Sequence, residues 1–166
     1  MKHNYSYEYK RILLKPLEKH DIEELRVLRN GTREFFVYQE IITQEKQQRW
    51  FEQYLQKDDD IMFKIVKAEK PEEFIGAIAL YDIDPEKHKA EFGRIVIDKE
   101  KVSEKGLGQE AVEAITQFGF TILKLQEIVA EVLKDNQRAL ISDLRAGFTI
   151  VDENEELYFL KIKNEN

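Results

Sequence analysis

The chain contains no cysteine. Disulfides, thiolate metal sites, a catalytic cysteine and an acyl-cysteine intermediate are all excluded, and the usual signature of oxidising compartments is missing. A cytoplasmic location is the expectation. Histidine is limited to His3, His20 and His88, whose wide separations match no helical or hairpin ligand spacing, so no metal is expected. Serine is equally scarce. None of Ser6, Ser103 and Ser142 sits in a G-x-S-x-G elbow, which weakens a serine-hydrolase reading. The seven glycines and three prolines form no linker tract, and no repeat or low-complexity segment divides the chain, so residues 1–166 are read as a single domain. The longest apolar stretch, Phe74 to Tyr81, is too short to cross a bilayer, and the opening MKHNYSYEYK lacks the apolar core of a signal peptide. The 26 basic and 33 acidic residues leave a net charge of −7. That balance argues mildly against a nucleic-acid or membrane partner and favours a cationic or neutral one, although solubility alone also accounts for it.

Periodicity supplies the elements. A short strand around Ile12 to Leu14 is closed by Pro16, and Asp21 with Glu24 reads as a capping pair for a helix that stops at Gly31. A second helix follows Thr43 and carries Trp50, Phe51, Tyr54 and Leu55 at helical spacing, with an aromatic loop, Phe35 to Tyr38, between the two. Three strand-like runs come next, Ile61 to Val66, Phe74 to Tyr81 and Lys89 to Ile97, spaced for a meander. From Gly108 the apolar positions Ala111, Ile115, Phe118 and Ile122 mark a helix; Glu127 to Leu133 is strand-like, Asn136 to Ala146 helical, and Phe148 to Val151 with Tyr158 to Ile162 close the chain as strands. Runs of strands plus two strand-helix-strand units predict an α+β or α/β fold, a mixed, mostly antiparallel sheet flanked by helices.

One junction carries chemistry. The strand ending Ile95-Val96-Ile97 feeds a loop that reaches Lys105-Gly106-Leu107-Gly108 and opens a helix. Unpaired amides and the positive helix end at such a turn can hold a phosphate, and Lys105 adds a full charge; an ordinary glycine-relieved turn is the alternative. Neither a Walker motif nor G-x-G-x-x-G is present. Downstream, Asn136-Gln137-Arg138-Ala139 opens a helix that closes at Gly147-Phe148, where Asn136 also reads as a plain N-cap.

Order and spacing together resemble the GNAT superfamily of acyl-CoA-dependent N-acyltransferases, with its pyrophosphate loop [Q/R]-x-x-G-x-[G/A] and its Asn-x-x-Ala helix ending in Gly-Phe. The resemblance covers nearly the whole chain. Leu28-Arg29-Asn30, Ile42-Thr43-Gln44-Glu45 and Arg49-Trp50-Phe51-Glu52 look like the amino-sugar N-acetyltransferases of pseudaminic-acid biosynthesis, and also like the ribosomal-protein and polyamine N-acetyltransferases. The resemblance implies acetyl-CoA as co-substrate, with pantetheine along Ile95, Val96 and Ile97, pyrophosphate around Ser103, Lys105, Gly106, Leu107 and Gly108, and Asn136 facing the pantetheine or acetyl end. Two positions depart from the family pattern. Ser103 stands where Gln or Arg is usual, in a loop one residue longer, and Asp143 stands where many relatives carry the tyrosine that protonates the leaving thiolate. Ser142 is a candidate assistant there, although Ser142 and Asp143 also read as surface residues of an amphipathic helix.

Glu91 is the candidate base that takes a proton from the acceptor amine, since strand alternation gives it a face shared with Gly93, Ile95 and Ile97; a glutamate paired with Lys89 or Arg94 is the alternative. Arg29, Asn30, Phe36, Tyr38 and Trp50 would frame the acceptor, or simply pack the first two helices. The expected function is direct acetyl transfer to a primary amine, with a nucleotide-linked amino sugar ahead of a protein N-terminus or a polyamine. A catalytically silent acetyl-CoA-binding module is the rival, and the aromatic loop from Phe35 to Tyr38 is a candidate homodimer contact.

Overall fold

The computed structural model describes residues 1–166. A hairpin of β1 (Tyr7–Tyr9) and β2 (Ile12–Pro16) leads to α1 (Ile22–Gly31) and α2 (Gln44–Gln56). The meander β3 (Ile61–Lys67), β4 (Gly76–Asp84) and β5 (Lys89–Ile97) is followed by α3 (Leu107–Thr121), β6 (Glu127–Leu133), α4 (Gln137–Arg145), β7 (Thr149–Glu153) and β8 (Leu157–Lys163). All eight strands join one sheet in the order β1-β2-β3-β4-β5-β6-β8-β7, antiparallel except at β5–β6. The expected mixed, mostly antiparallel sheet flanked by helices is therefore observed. No helix is long and apolar enough to cross a membrane.

Apolar alternation on the strands divides the core between the two faces of the sheet. On one face, 24 buried residues pack the sheet against α3 and α4, with Phe118 meeting the rings of Tyr5, Tyr7 and Phe63 edge-on at centroid distances of 5.2, 5.9 and 5.0 Å. On the other, a smaller cluster of nine joins Leu25 of α1, Phe51 and Tyr54 of α2, and Ala77, Ala79 and Val96 of the sheet.

The sequence misses three local features. β1 is absent from the hydrophobic reading because it contains no aliphatic residue, and its turn uses Lys10 at φ 51° where no glycine signals it. Asp21 does not cap α1. It reaches back instead to the Glu18 amide at 2.8 Å, closing a capping box around the 3-10 turn Lys19–Asp21, and it takes the buried Lys64 ammonium at 3.0 Å. Gly31 is the last residue of α1 and Thr32 its cap.

The third feature shapes the site. Ala77 pairs with Val96 but Ala79 pairs with Gly93, so Arg94 and Ile95 of β5 together oppose Ile78 alone. This is a β-bulge, with Arg94 at φ 53°. The extra residue shifts the alternation, which corrects the expected common face. Ile97 lies in the larger cluster with Phe92, and Ile95 packs against that cluster, whereas Val96 belongs to the smaller one. Arg94 Nη1 donates to both carboxylate oxygens of Asp60, at 2.8 and 2.9 Å, and the guanidinium lies 4.3 Å from the Tyr81 ring centre. Asp60 is buried. Removing that carboxylate by Asp60→Ala leaves a partly buried cation unpaired, and we expect a loss of about 3 kcal/mol in urea unfolding.

Candidate active site

Parallel pairing of β5 with β6 lasts for only three residue pairs, Lys89↔Glu127, Ala90↔Ile128 and Glu91↔Val129. Beyond Glu91 the β6 side of β5 has no strand partner, so the edge from Phe92 to Ile97 faces an opening. A cleft of about 980 Å³ occupies it, walled by β5 and β6, by α1 and α2, and by the first turns of α3 and α4.

At one end lies the start of α3. Gly106 takes φ 87°, which a side chain would strain, and supplies no capping group, so the first amides of a fifteen-residue helix are left without a side-chain acceptor. The loop before it is braced from outside. Arg11 Nε donates to Glu110 of α3 at 2.9 Å and its Nη2 donates to the Lys105 carbonyl at 2.9 Å. Lys67 pairs with Glu104 at 2.7 Å. Gly108 lines the cleft, and a β-carbon built on it would meet nothing within 4 Å. Lys99 and Arg138 line the same cleft, and neither has an anionic partner in the protein. Burial, then Arg138, lowers the Lys99 ammonium pKa.

At the centre stands Glu91. The Tyr81 hydroxyl donates to its Oε1 at 3.2 Å, and Gly93 leaves room for that hydroxyl, since a β-carbon there would sit 2.6 Å from it. Burial first, and Glu131 second, raise the Glu91 pKa; the tyrosine hydrogen bond acts the other way. The far wall holds Arg29, whose guanidinium stacks 3.8 Å from the Phe36 ring centre and has no carboxylate partner. Burial, reinforced by Arg94, lowers its pKa to about 10. Trp50 stacks on Tyr54 at 5.6 Å, so it both packs α2 and faces the cleft.

The structure brings Glu91, Ile95, Val96, Ile97, Gly108, Asn136 and Ser142 to the cleft together with Arg29, Phe36, Tyr38 and Trp50. Five other candidates lie outside it. Ser103, Lys105 and Gly106 sit at the exposed surface of the α3 loop, and the Leu107 side chain is buried in the larger core. Asn30 is engaged at both ends by Ile42, donating to its carbonyl at 2.9 Å and accepting from its amide at 2.8 Å, so it anchors the loop before α2. Asn136 caps α4 through the Ala139 amide at 3.2 Å, as its position suggested.

Tyr81, Lys99, Glu131, Arg138 and Asp143 line the cleft without having been singled out as site residues. For Lys99 and Arg138 a signal was available, because they stand two residues after Ile97 and Asn136, both already read as coenzyme-binding. Asp143 is a correction: the expected surface residue is 3% exposed, and α4 instead exposes Ile141 and Leu144.

Residues 11–149 match the family model of the GNAT acetyltransferase domain. The Campylobacter jejuni acetyltransferase PseH is 35% identical over 92 residues, 55% of this chain and 55% of that protein, so the match spans about half the length of each. Among solved structures, the Vibrio cholerae spermidine N-acetyltransferase bound to CoA and spermine superposes with a TM-score of 0.78 at 21% identity, over 93% of this chain and 96% of that one. FdhC, a nucleotide-linked sugar GNAT solved in its apo form, superposes with a TM-score of 0.84 at 19% identity, over 97% and 91%. The open edge of β5, the uncapped glycine turn of α3 and the family match agree: the chain belongs to the GNAT family of acetyltransferases.

Proposed function

We propose that the protein transfers the acetyl group of acetyl-CoA directly to the primary amine of a nucleotide-linked amino sugar. The observation that carries the reading is the unpaired edge of β5, which runs between the free amides of α3 and Glu91. An extended pantetheine chain, rich in amide groups, can bond to that edge as an added strand does. Its pyrophosphate then meets the α3 amides, with Lys99 and Arg138 as charged supports. Ile95 to Ile97 supply backbone contacts, and β5 amides supply donors for the developing oxyanion.

An amine with a pKa of about 10 arrives protonated and must lose a proton before it attacks. Glu91 suits that task because its raised pKa makes it a better base than an ordinary carboxylate. Arg29 favours an anionic acceptor. It has no internal counter-charge, and its flat guanidinium, held over Phe36, can fork onto a phosphate. The similarity to PseH points the same way. A polyamine is the second reading, supported by the Glu91 and Glu131 carboxylates on the cleft wall and by the fold likeness to the spermidine enzyme. Homodimer formation and the role of Tyr38 and Trp50 at the acceptor belong to the same proposal.

Thiol release from acetyl-CoA is to be measured with a nucleotide-linked amino sugar, spermidine and a peptide with a free N-terminus. Turnover of the sugar nucleotide above both others is expected, and preference for spermidine would replace it with the second reading. Arg29→Ala should raise KM for the sugar nucleotide at least tenfold, the loss of one charge-assisted hydrogen bond, while KM for acetyl-CoA stays constant.

Glu91→Gln should lower kcat/KM on the order of 100-fold. In the wild type kcat/KM climbs with pH as Glu91 ionises, at a pH above the usual carboxylate range, and the variant should lose that climb while keeping the one due to the amine. Gly108→Arg should weaken acetyl-CoA binding at least tenfold in calorimetry with the melting temperature unchanged, because the space beside Gly108 is open. Unaltered affinity would show that the pyrophosphate lies elsewhere.

A further inference from the structure

Gly93 lies inside a strand, where a missing side chain weakens the ladder. Its φ is not in the left-handed region, so backbone freedom is not what it supplies. It supplies space. A β-carbon there would lie 2.6 Å from the Tyr81 hydroxyl and 3.2 and 3.3 Å from two carbons of that ring. The phenol therefore lies across β5 in the place of a side chain, its hydroxyl donating to Glu91 Oε1 at 3.2 Å. Tyr81 and Glu91 are direct partners in the β4–β5 ladder, so their contact is fixed by register.

The bulge completes this seat. Phe92 points into the larger core, and strict alternation would send Arg94 the same way. Its left-handed turn at φ 53° brings the guanidinium instead to the Tyr81 ring, 4.3 Å from the centre, where both carboxylate oxygens of Asp60 hold it. Glu91 itself makes no ion pair, and the Tyr81 bond is its only side-chain hydrogen bond, so Oε2 has no partner on a residue that lines the cleft.

We propose that Tyr81 is the positioning residue of the base: its hydroxyl holds one oxygen of Glu91 so that the free oxygen, Oε2, receives the proton of the acceptor amine. This rests on the acetyl-transfer reading above. As nitrogen forms the N–C bond, its proton moves to Oε2 and the C–S electron pair leaves on sulfur, which takes a proton from water. Glu91 later returns its proton to water. Tyr81 keeps its own throughout.

Burial, then Glu91, raises the Tyr81 pKa, so the phenol remains a donor at every working pH. A hydrogen bond to the ionised carboxylate favours that form and opposes the burial that raises the Glu91 pKa. The other charged groups around Glu91 are Asp82 on β4, Arg94 on β5 and Glu131 on β6, with Arg29 and Lys46 across the cleft on α1 and α2. None of them hydrogen-bonds to it.

Tyr81→Phe removes the donor and keeps the ring. The ratio of variant to wild-type kcat/KM cancels the titration of the amine, which is common to both. Between about pH 5 and 9 that ratio should rise about tenfold, as Glu91 ionises about one pH unit later, and level about tenfold below unity, the loss from a carboxylate no longer aimed. KM for acetyl-CoA should not change. Carboxyl-carbon NMR of glutamate-labelled protein without coenzyme, its Glu91 signal assigned with Glu91→Gln, should show the midpoint raised by about one pH unit in Tyr81→Phe. Gly93→Ala, whose β-carbon displaces the same hydroxyl, should match Tyr81→Phe in both measurements, and the double variant should be no slower than Tyr81→Phe alone. A flat ratio, an unshifted midpoint, or losses that multiply in the double variant overturns the proposal. Normal turnover by Glu91→Gln, or wild-type failure to acetylate any of the three amines, removes the base or the transfer reading and this proposal with it. A flat ratio beside an impaired Glu91→Gln removes only the role of Tyr81.

Discussion

The site depends on one extra residue in β5, held by the Arg94–Asp60 ion pair. With Arg94 and Ile95 set against Ile78 alone, β5 bends between its parallel contact with β6 and its remaining ladder to β4. The strand is thereby freed on one side without losing its place in the sheet. Asp60 stands just before β3, so the fixing charge comes from a different segment of the meander. Two glycines make room for the bend. A β-carbon on Gly76 would lie 2.1 Å from the Val96 carbonyl oxygen, and one on Gly93 would displace the hydroxyl that holds Glu91.

The remaining buried charges serve the same opening from other sides. Arg11 ties the α3 loop to Glu110 and fixes the Lys105 carbonyl, so the chain immediately before the α3 amides is braced from outside the cleft. Lys64 and Asp21 lock the entry to α1, the helix that carries Arg29. Buried ion pairs seldom repay their desolvation in stability alone, but they set geometry sharply, and each of these pairs fixes an element that walls the cleft.

Regular elements were legible because their hydrophobic period is strong. The limits of β5 and β6 fall at Lys89, Ile97, Glu127 and Leu133 as read from alternation, and Thr43 and Asn136 cap the helices they precede. The bulge was not legible. It depends on Asp60, distant in sequence, and Arg94 takes a left-handed conformation that no local signal for glycine announces. Glu91 and Ile95 to Ile97 do line the cleft, but for the same reason the faces of Ile95 and Ile97 were misassigned. Asp143 escaped because amphipathic counting assumes that the apolar stripe is the buried one, and on α4 tertiary packing reverses that rule. Asn30, next to the cleft-lining Arg29, shows the opposite error: its side-chain amide is wholly spent on a loop.

Two carboxyls, Glu91 and Asp143, border the cleft, and burial raises the pKa of both. On Glu91 the neighbouring Glu131 acts in the same direction as burial, while the Tyr81 hydrogen bond and Arg94 oppose it; on Asp143 burial acts alone. The absence of cysteine closes a route through an acyl-enzyme thioester, and direct transfer needs one proton removed from nitrogen and one delivered to sulfur.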